Sequence, residues 1–144
     1  MNDGIDIANY PLYGVFELLQ HIEEIWEGEG FLGRWKRDGF GRKVFHLELH
    51  TGGISGNEEI INSLFQKRDF KLLFYKKWEC GGHHYFEINP AVVGFYSASE
   101  LVGKLGVSRQ AIHKNKGLER VMFYNRILYR ERNSICLNKN ATTQ

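Results

Sequence analysis

Residues 96–115 read YSASELVGKLGVSRQAIHKN. Ser97 stands three residues before Glu100, the spacing of a capping box, so a helix is predicted to begin there and run through Leu101 and Leu105. Gly106 stops it. Val107 offers an apolar contact within the turn, and Ser108 is a natural N-cap for a second helix that turns Ala111 and Ile112 inward. Leu101, Leu105, Val107 and Ile112 would form the interior of two short helices joined by a glycine-containing turn. That is the helix-turn-helix pattern.

The residues left outside the second helix are Arg109, Gln110, His113, Lys114 and Asn115, with no acid among them. Arginine pairs with guanine edges and glutamine or asparagine with adenine edges in the major groove, while Ser108 and the helix start can meet a phosphate. The next stretch, LERVMFYNRILYRERNSICL, contains the runs Arg120–Tyr124 and Ile127–Arg130 around Asn125-Arg126, which can pair as a hairpin. Beside a helix-turn-helix such a basic hairpin would be a wing. Arg120, Arg126, Arg130 and Arg132 would then contact phosphates and set position without reading sequence. The competing reading is a pair of helices that only caps the sheet of a preceding domain.

On the pieces SASEL, LGVSRQAIHK and NRILYRE, residues 96–132 resemble the winged helix-turn-helix of the excisionase and MerR-type group. The resemblance implies double-stranded DNA binding, with the second helix in the major groove and the wing along the backbone. It implies base contacts from Arg109, Gln110 and His113, and backbone contacts from Ser108, Lys114, Arg126 and Arg130. The N-terminal runs HTGGISGNEEII and GGHHYFEI resemble small phage and prophage proteins of no assigned activity.

Charge is unevenly placed. Residues 1–90 hold 10 Lys and Arg against 14 Asp and Glu, whereas residues 91–144 hold 9 against 3. The positive field therefore belongs to the last third, where a polyanion would be attracted. With 144 residues, 42% of them hydrophobic and 14% aromatic, the chain is expected to be a globular protein of one domain plus a smaller one. No apolar run is long enough to span a bilayer, and MNDGIDIANYPLY lacks the features of a signal peptide, so a cytoplasmic location is expected. Cys80 and Cys136 are too few for a disulfide framework and lack zinc-site spacing.

Ahead of this region, Leu12, Val15, Phe16, Leu19, Ile22 and Trp26 recur at helical spacing after Pro11, predicting an amphipathic helix that ends near Gly28. Asp38-Gly39 marks a turn between strands at Phe31–Lys36 and Lys43–His50. On the second strand Phe45, Leu47 and Leu49 should face the core, with His46, Glu48 and His50 opposite. NEEIINSLFQKR predicts a short helix capped by Asn57, or by Ser55 with Glu58. DFKLLFYKKWE and HHYFEIN, joined by Cys80-Gly81-Gly82, read as a β-hairpin. The fold expected is α+β: a small antiparallel sheet with two helices at 1–90, then a winged helix-turn-helix at 91–144 with a short tail, the boundary at Asn89-Pro90.

Other constellations point more weakly to chemistry. His46, Glu48 and His50 would sit in a row about 6.5–7 Å apart, a spacing at which two strand histidines can share a metal, but a wet polar face is the better account. Cys80 and His83 flank a glycine turn too loose to preorganise a nucleophile. The TGGISGN loop resembles a phosphate cradle, yet Glu58 and Glu59 in the following first turn would repel the anion. The sequence thus points to a DNA-binding regulator without catalysis, metal or cofactor, acting as a homodimer. The alternative is a phage interaction module that blocks a host protein complex through its aromatic sheet face and keeps the helix-turn-helix as an accessory.

Overall fold

Period-two patterning organises the first part of the chain. A computed structural model describes residues 6–132, so Cys136 and the C-terminal NKNATTQ lie outside the described residues. The chain divides into two compact units, Met1–Asn89 and Pro90–Gln144, and its class is α+β. In the first unit, strands β1 (Phe31–Arg37), β2 (Lys43–His50), β3 (Tyr75–Glu79) and β4 (His83–Ile88) form an antiparallel sheet in the order β1-β2-β4-β3. Register places Trp35 opposite Phe45, and Leu47 opposite Phe86. Phe45, Leu47, Leu49, Phe86 and Ile88 are buried on one face, while His46, Glu48, His50, Tyr85 and Glu87 are half-buried on the other. The turn after β1 closes on Asp38, whose carboxylate accepts from the Phe40 and Arg42 N–H groups, both at 2.9 Å.

Three helices accompany this sheet. α1 (Val15–Ile25) buries Val15, Phe16, Leu18, Leu19 and Ile22, and sets Phe16 against Trp35 with ring centroids 6.0 Å apart. It stops at Trp26, short of the glycine expected to end it. α2 (Ser55–Gln66) buries Ile60, Ile61 and Leu64. Its expected cap is corrected: neither Ser55 nor Asn57 caps it, because both lie inside the helix. Asn57 is buried and grips the chain after α1, accepting from Glu27 N–H at 2.9 Å and donating to Glu27 O at 2.7 Å.

The second correction concerns residues 69–74, expected to be strand. They fall within helix α3 (Arg68–Phe74), and β3 starts only at Tyr75. Phe70 and Phe74, four apart, both point inward with centroids 5.2 Å apart, whereas Leu72 is left 84% exposed. The run has no β-branched residue to favour a strand, and one helical turn buries both rings.

In the second unit the capping signals act where the sequence places them. Helix α4 (Ala98–Leu105) begins with the Ser97–Glu100 capping box, Ser97 N–H donating to Glu100 Oε1 at 2.8 Å and Glu100 N–H to Ser97 Oγ at 3.2 Å. It ends at Gly106 in the left-handed region, φ 68°. Helix α5 (Arg109–Lys114) is capped by Ser108 Oγ, which accepts from Ala111 N–H at 3.1 Å. Strands β5 (Leu118–Phe123) and β6 (Arg126–Glu131) follow as an antiparallel hairpin. Its two-residue turn, Tyr124-Asn125, has φ 48° and 61°, the pattern of the primed turns that match strand twist.

The interior of this unit differs from the expected one. Ala98, Leu101, Ile112 and Tyr129 form it, with Tyr96, Val102, Leu118 and Ile127 packed around them. Leu105 and Val107 are 51% and 39% exposed, and Ala111 is exposed too. With only six residues, α5 offers little inward face, and the Tyr129 ring from the hairpin supplies the bulk that Leu105 and Val107 were expected to give. Among the described residues no helix is long and apolar enough to cross a membrane.

Gly30 tests the sheet's edge. His50 N–H donates to Gly30 O at 2.8 Å, and a β-carbon on Gly30 would overlap the His50 carbonyl, whereas Gly39 has open space around it. Gly30→Ala is expected to cost about 2–3 kcal/mol in denaturant melts, and Gly39→Ala to stay within about 0.5 kcal/mol of the parent.

Candidate nucleic-acid interface

Helix α5 and its two caps hold most of the predicted site residues, but several of them are used to build the unit itself. Ser108 Oγ is occupied by its own helix. The Arg109 guanidinium donates to Ser99 Oγ at 2.7 Å, reaching from the start of α5 to the start of α4. His113 Nδ1 shares a 2.7 Å hydrogen bond with the Tyr129 hydroxyl, which fixes the imidazole against the hairpin. Asn115 ends α5, and its side-chain oxygen accepts from Gly117 N–H at 2.8 Å, closing the turn toward β5. Gln110 and Lys114 project as exposed side chains.

The hairpin sorts its arginines in the same way. Arg120 is exposed on β5, and Arg126 is half-buried beside the turn. Arg130, expected to lie on a phosphate backbone, is corrected. It is 7% exposed, its Nε donates to Glu119 Oε1 at 3.0 Å, and its guanidinium lies 5.2 Å over the Phe95 ring. A guanidinium held by a carboxylate and an aromatic face is a structural group. Arg132 is exposed, and its Nε donates to Lys116 O at 3.1 Å and its Nη2 to Leu118 O at 3.2 Å, bracing the α5–β5 loop.

Ser108, Arg109, Gln110, His113, Lys114, Asn115 and Arg120 are all exposed, and of these Gln110, Lys114 and Arg120, with Lys116 added, are not among the side chains described above as building the turn. Lys104 adjoins this group, its ammonium 4.4 Å over the Tyr96 ring. Lys116 was missed because it follows the end of the recognised motif, although the charge run through Lys114 pointed to it. Two nearby acids are engaged, Glu100 in the capping box and Glu119 with Arg130. The Glu119 carboxyl is held below the usual range by the hydrogen bond from Arg130, partial burial opposing this and the charges of Arg130 and Arg132 assisting.

The histidine row on β2 makes a different arrangement. Glu48 bridges it, Oε2 lying 2.9 Å from His46 Nε2 and Oε1 3.2 Å from His50 Nε2, while His50 Nδ1 meets His83 Nδ1 across the β2–β4 register. The Glu48 carboxyl is held low by the hydrogen bond from His46, burial opposing and His50 assisting. Among the described residues no group of three or more His, Cys, Asp or Glu is placed to hold a metal ion. Cys80 is exposed at the turn. The TGGISGN loop is a glycine turn, Gly52 and Gly53 at φ 61° and 74°, with Ile54 N–H donating to Thr51 O at 3.0 Å.

No family model, no curated protein and no solved structure matches this chain.

The Arg130–Glu119 pair carries a pH signature. A carboxyl whose pKa is lowered on folding contributes stability that is present above its ordinary value and lost as pH falls through the folded value. The melting temperature should therefore drop as pH falls below the ordinary carboxyl value of 4.5, and Glu119→Gln should make that drop shallower. Arg130→Ala, followed by circular dichroism at neutral pH, should lose about 1–3 kcal/mol, because it removes a buried guanidinium from Phe95 and leaves the half-buried Glu119 carboxylate without its partner.

Proposed function

We propose that residues 96–132 bind duplex DNA as a winged helix-turn-helix and that the protein regulates transcription. The observation that supports this reading best is the exposed side of α5 and its flanks: Gln110, Lys114, Lys116 and Arg120 are all exposed, and no Asp or Glu occurs between Leu101 and Leu118. The caps at Ser97, Gly106 and Ser108 order this side before any ligand arrives, so little ordering entropy remains to be lost on binding. In this reading Gln110 faces an adenine edge in the major groove, and Lys114, Lys116 and Arg120 neutralise phosphates and release counterions. Arg109 and His113 act as positioning residues, fixed by Ser99 and Tyr129.

A second reading has its own observation. Leu105 and Val107 stand exposed in the turn, and an apolar pair there suits a protein partner, such as a host complex, better than a phosphate backbone.

A duplex-binding titration at several salt concentrations separates the two. DNA binding should weaken steeply with salt, and Lys114→Ala and Arg120→Ala should each flatten the log–log slope by about 0.9. Gln110→Ala should leave the slope intact and reduce discrimination between duplexes. No retention on duplex at low salt, with a protein partner lost on Leu105→Asp plus Val107→Asp, would establish the second reading instead.

A further inference from the structure

A cleft of about 360 Å³ opens in the first unit between α2 and the β3–β4 hairpin, within the roughly 300–1,000 Å³ of small-molecule sites. Its floor is Thr51, only 2% exposed, whose hydroxyl has no hydrogen-bond partner among the described residues. The Thr51 main chain, by contrast, is fully used: its N–H donates to Gly82 O at 3.0 Å, and its carbonyl accepts from Ile54 N–H at 3.0 Å. A buried hydroxyl left unpaired is costly, and a ligand that supplies the missing bond recovers that cost. Gly82, at φ +78°, lies close against the Thr51 hydroxyl, and a side chain there would collide with it.

The walls are aromatic. Phe65 and the buried His84 have ring centroids 5.5 Å apart, and the Tyr75 hydroxyl shares a 3.4 Å hydrogen bond with His84 Nδ1. Burial, assisted by the neighbouring His83 and His50, lowers the His84 pKa and favours the neutral imidazole. Trp78 lines the mouth and is 56% exposed, an indole face available for stacking. At the rim, Asn62 contributes an amide and Glu58 the one charged group among the lining residues. Lys71, whose ammonium lies 4.7 Å over the Phe65 ring, does not line the cleft. The surrounding residues 1–90 carry 14 acids against 10 bases, so the field disfavours an anion.

We infer that this cleft binds a planar nitrogen heterocycle bearing N–H donors, a nucleobase-type ring without phosphate, stacked on Trp78 with one ring group at the Thr51 hydroxyl and an amino group toward Glu58. The inference is independent of the DNA-binding reading, since every residue it uses lies in the first unit.

Titration calorimetry on the full chain tests it with adenine, cytosine and 2-aminopyrimidine as probes and adenosine 5′-monophosphate as the anionic comparison. At least one of the three probes should bind saturably, and the monophosphate should bind more weakly than adenine. Trp78→Ala should weaken the binding probe about tenfold through lost stacking, and Thr51→Val and Glu58→Gln about five- to tenfold each. Glu58 is exposed on the helix surface, so Glu58→Gln keeps the test decisive should Thr51→Val fail to fold. No saturable binding by any of the three at about 1 mM, a monophosphate as tight as adenine, or a probe indifferent to both Trp78→Ala and Glu58→Gln would overturn the inference.

Discussion

Tyr129 ties the second unit together. Its main chain bridges to Tyr96 in both directions, Tyr96 N–H donating to Tyr129 O at 2.9 Å and Tyr129 N–H to Tyr96 O at 2.7 Å. Its ring packs with Ala98, Leu101 and Ile112, and its hydroxyl holds His113. One residue of the hairpin thereby sets both the approach to α4 and the seating of α5. Two short helices have too little apolar face to hold each other, so the hairpin is a structural third element here as well as an edge. Leu105 and Val107 stay outside this cluster and are exposed.

The same economy decides which cations are available. Arg109 donates a hydrogen bond to Ser99, whereas Arg130 and Arg132 each make two contacts within the unit, to Glu119 with Phe95 and to the Lys116 and Leu118 carbonyls. A planar guanidinium with five donors is well suited to bracing loops and stacking on rings, whereas an ammonium is a strongly hydrated point charge that gains less from either. Among the described residues of this unit the exposed cations are Lys104, Lys114, Lys116 and Arg120 together with Arg109 and Arg132, whose guanidinium groups are exposed while engaged in these contacts.

Much of this was legible because it was local. The capping box at Ser97, the stop at Gly106, the cap at Ser108 and the alternation along Lys43–His50 are each written within a few residues, and each acts where it is written. What the sequence hid depended on partners distant along the chain. Asn57 looked like a cap because its role, a bond to Glu27 thirty residues earlier, leaves no local trace. Residues 70–74 alternate plausibly as a strand, and only the inward meeting of Phe70 and Phe74 selects the helix. Arg130 read as a surface cation because its partners, Glu119 and Phe95, become neighbours only once β5 and β6 pair. The Thr51–Trp78 cleft had no motif at all, its walls coming from a loop, a helix and two strands.

The division of charge constrains any DNA-binding role further. The acid-rich residues 1–90 offer no general field for a polyanion, so contact with a duplex would fall on one helix of six residues and its hairpin. A helix of that length places few side chains on base edges, and here Gln110 is the exposed amide within it, with Asn115 at its end accepting from Gly117 N–H. Lysine contacts to phosphate add affinity at every sequence equally. Selectivity for one site over a genome of competitors would then require a second copy of the module at a fixed spacing, since doubling the base contacts multiplies discrimination while the phosphate contribution stays indifferent to sequence.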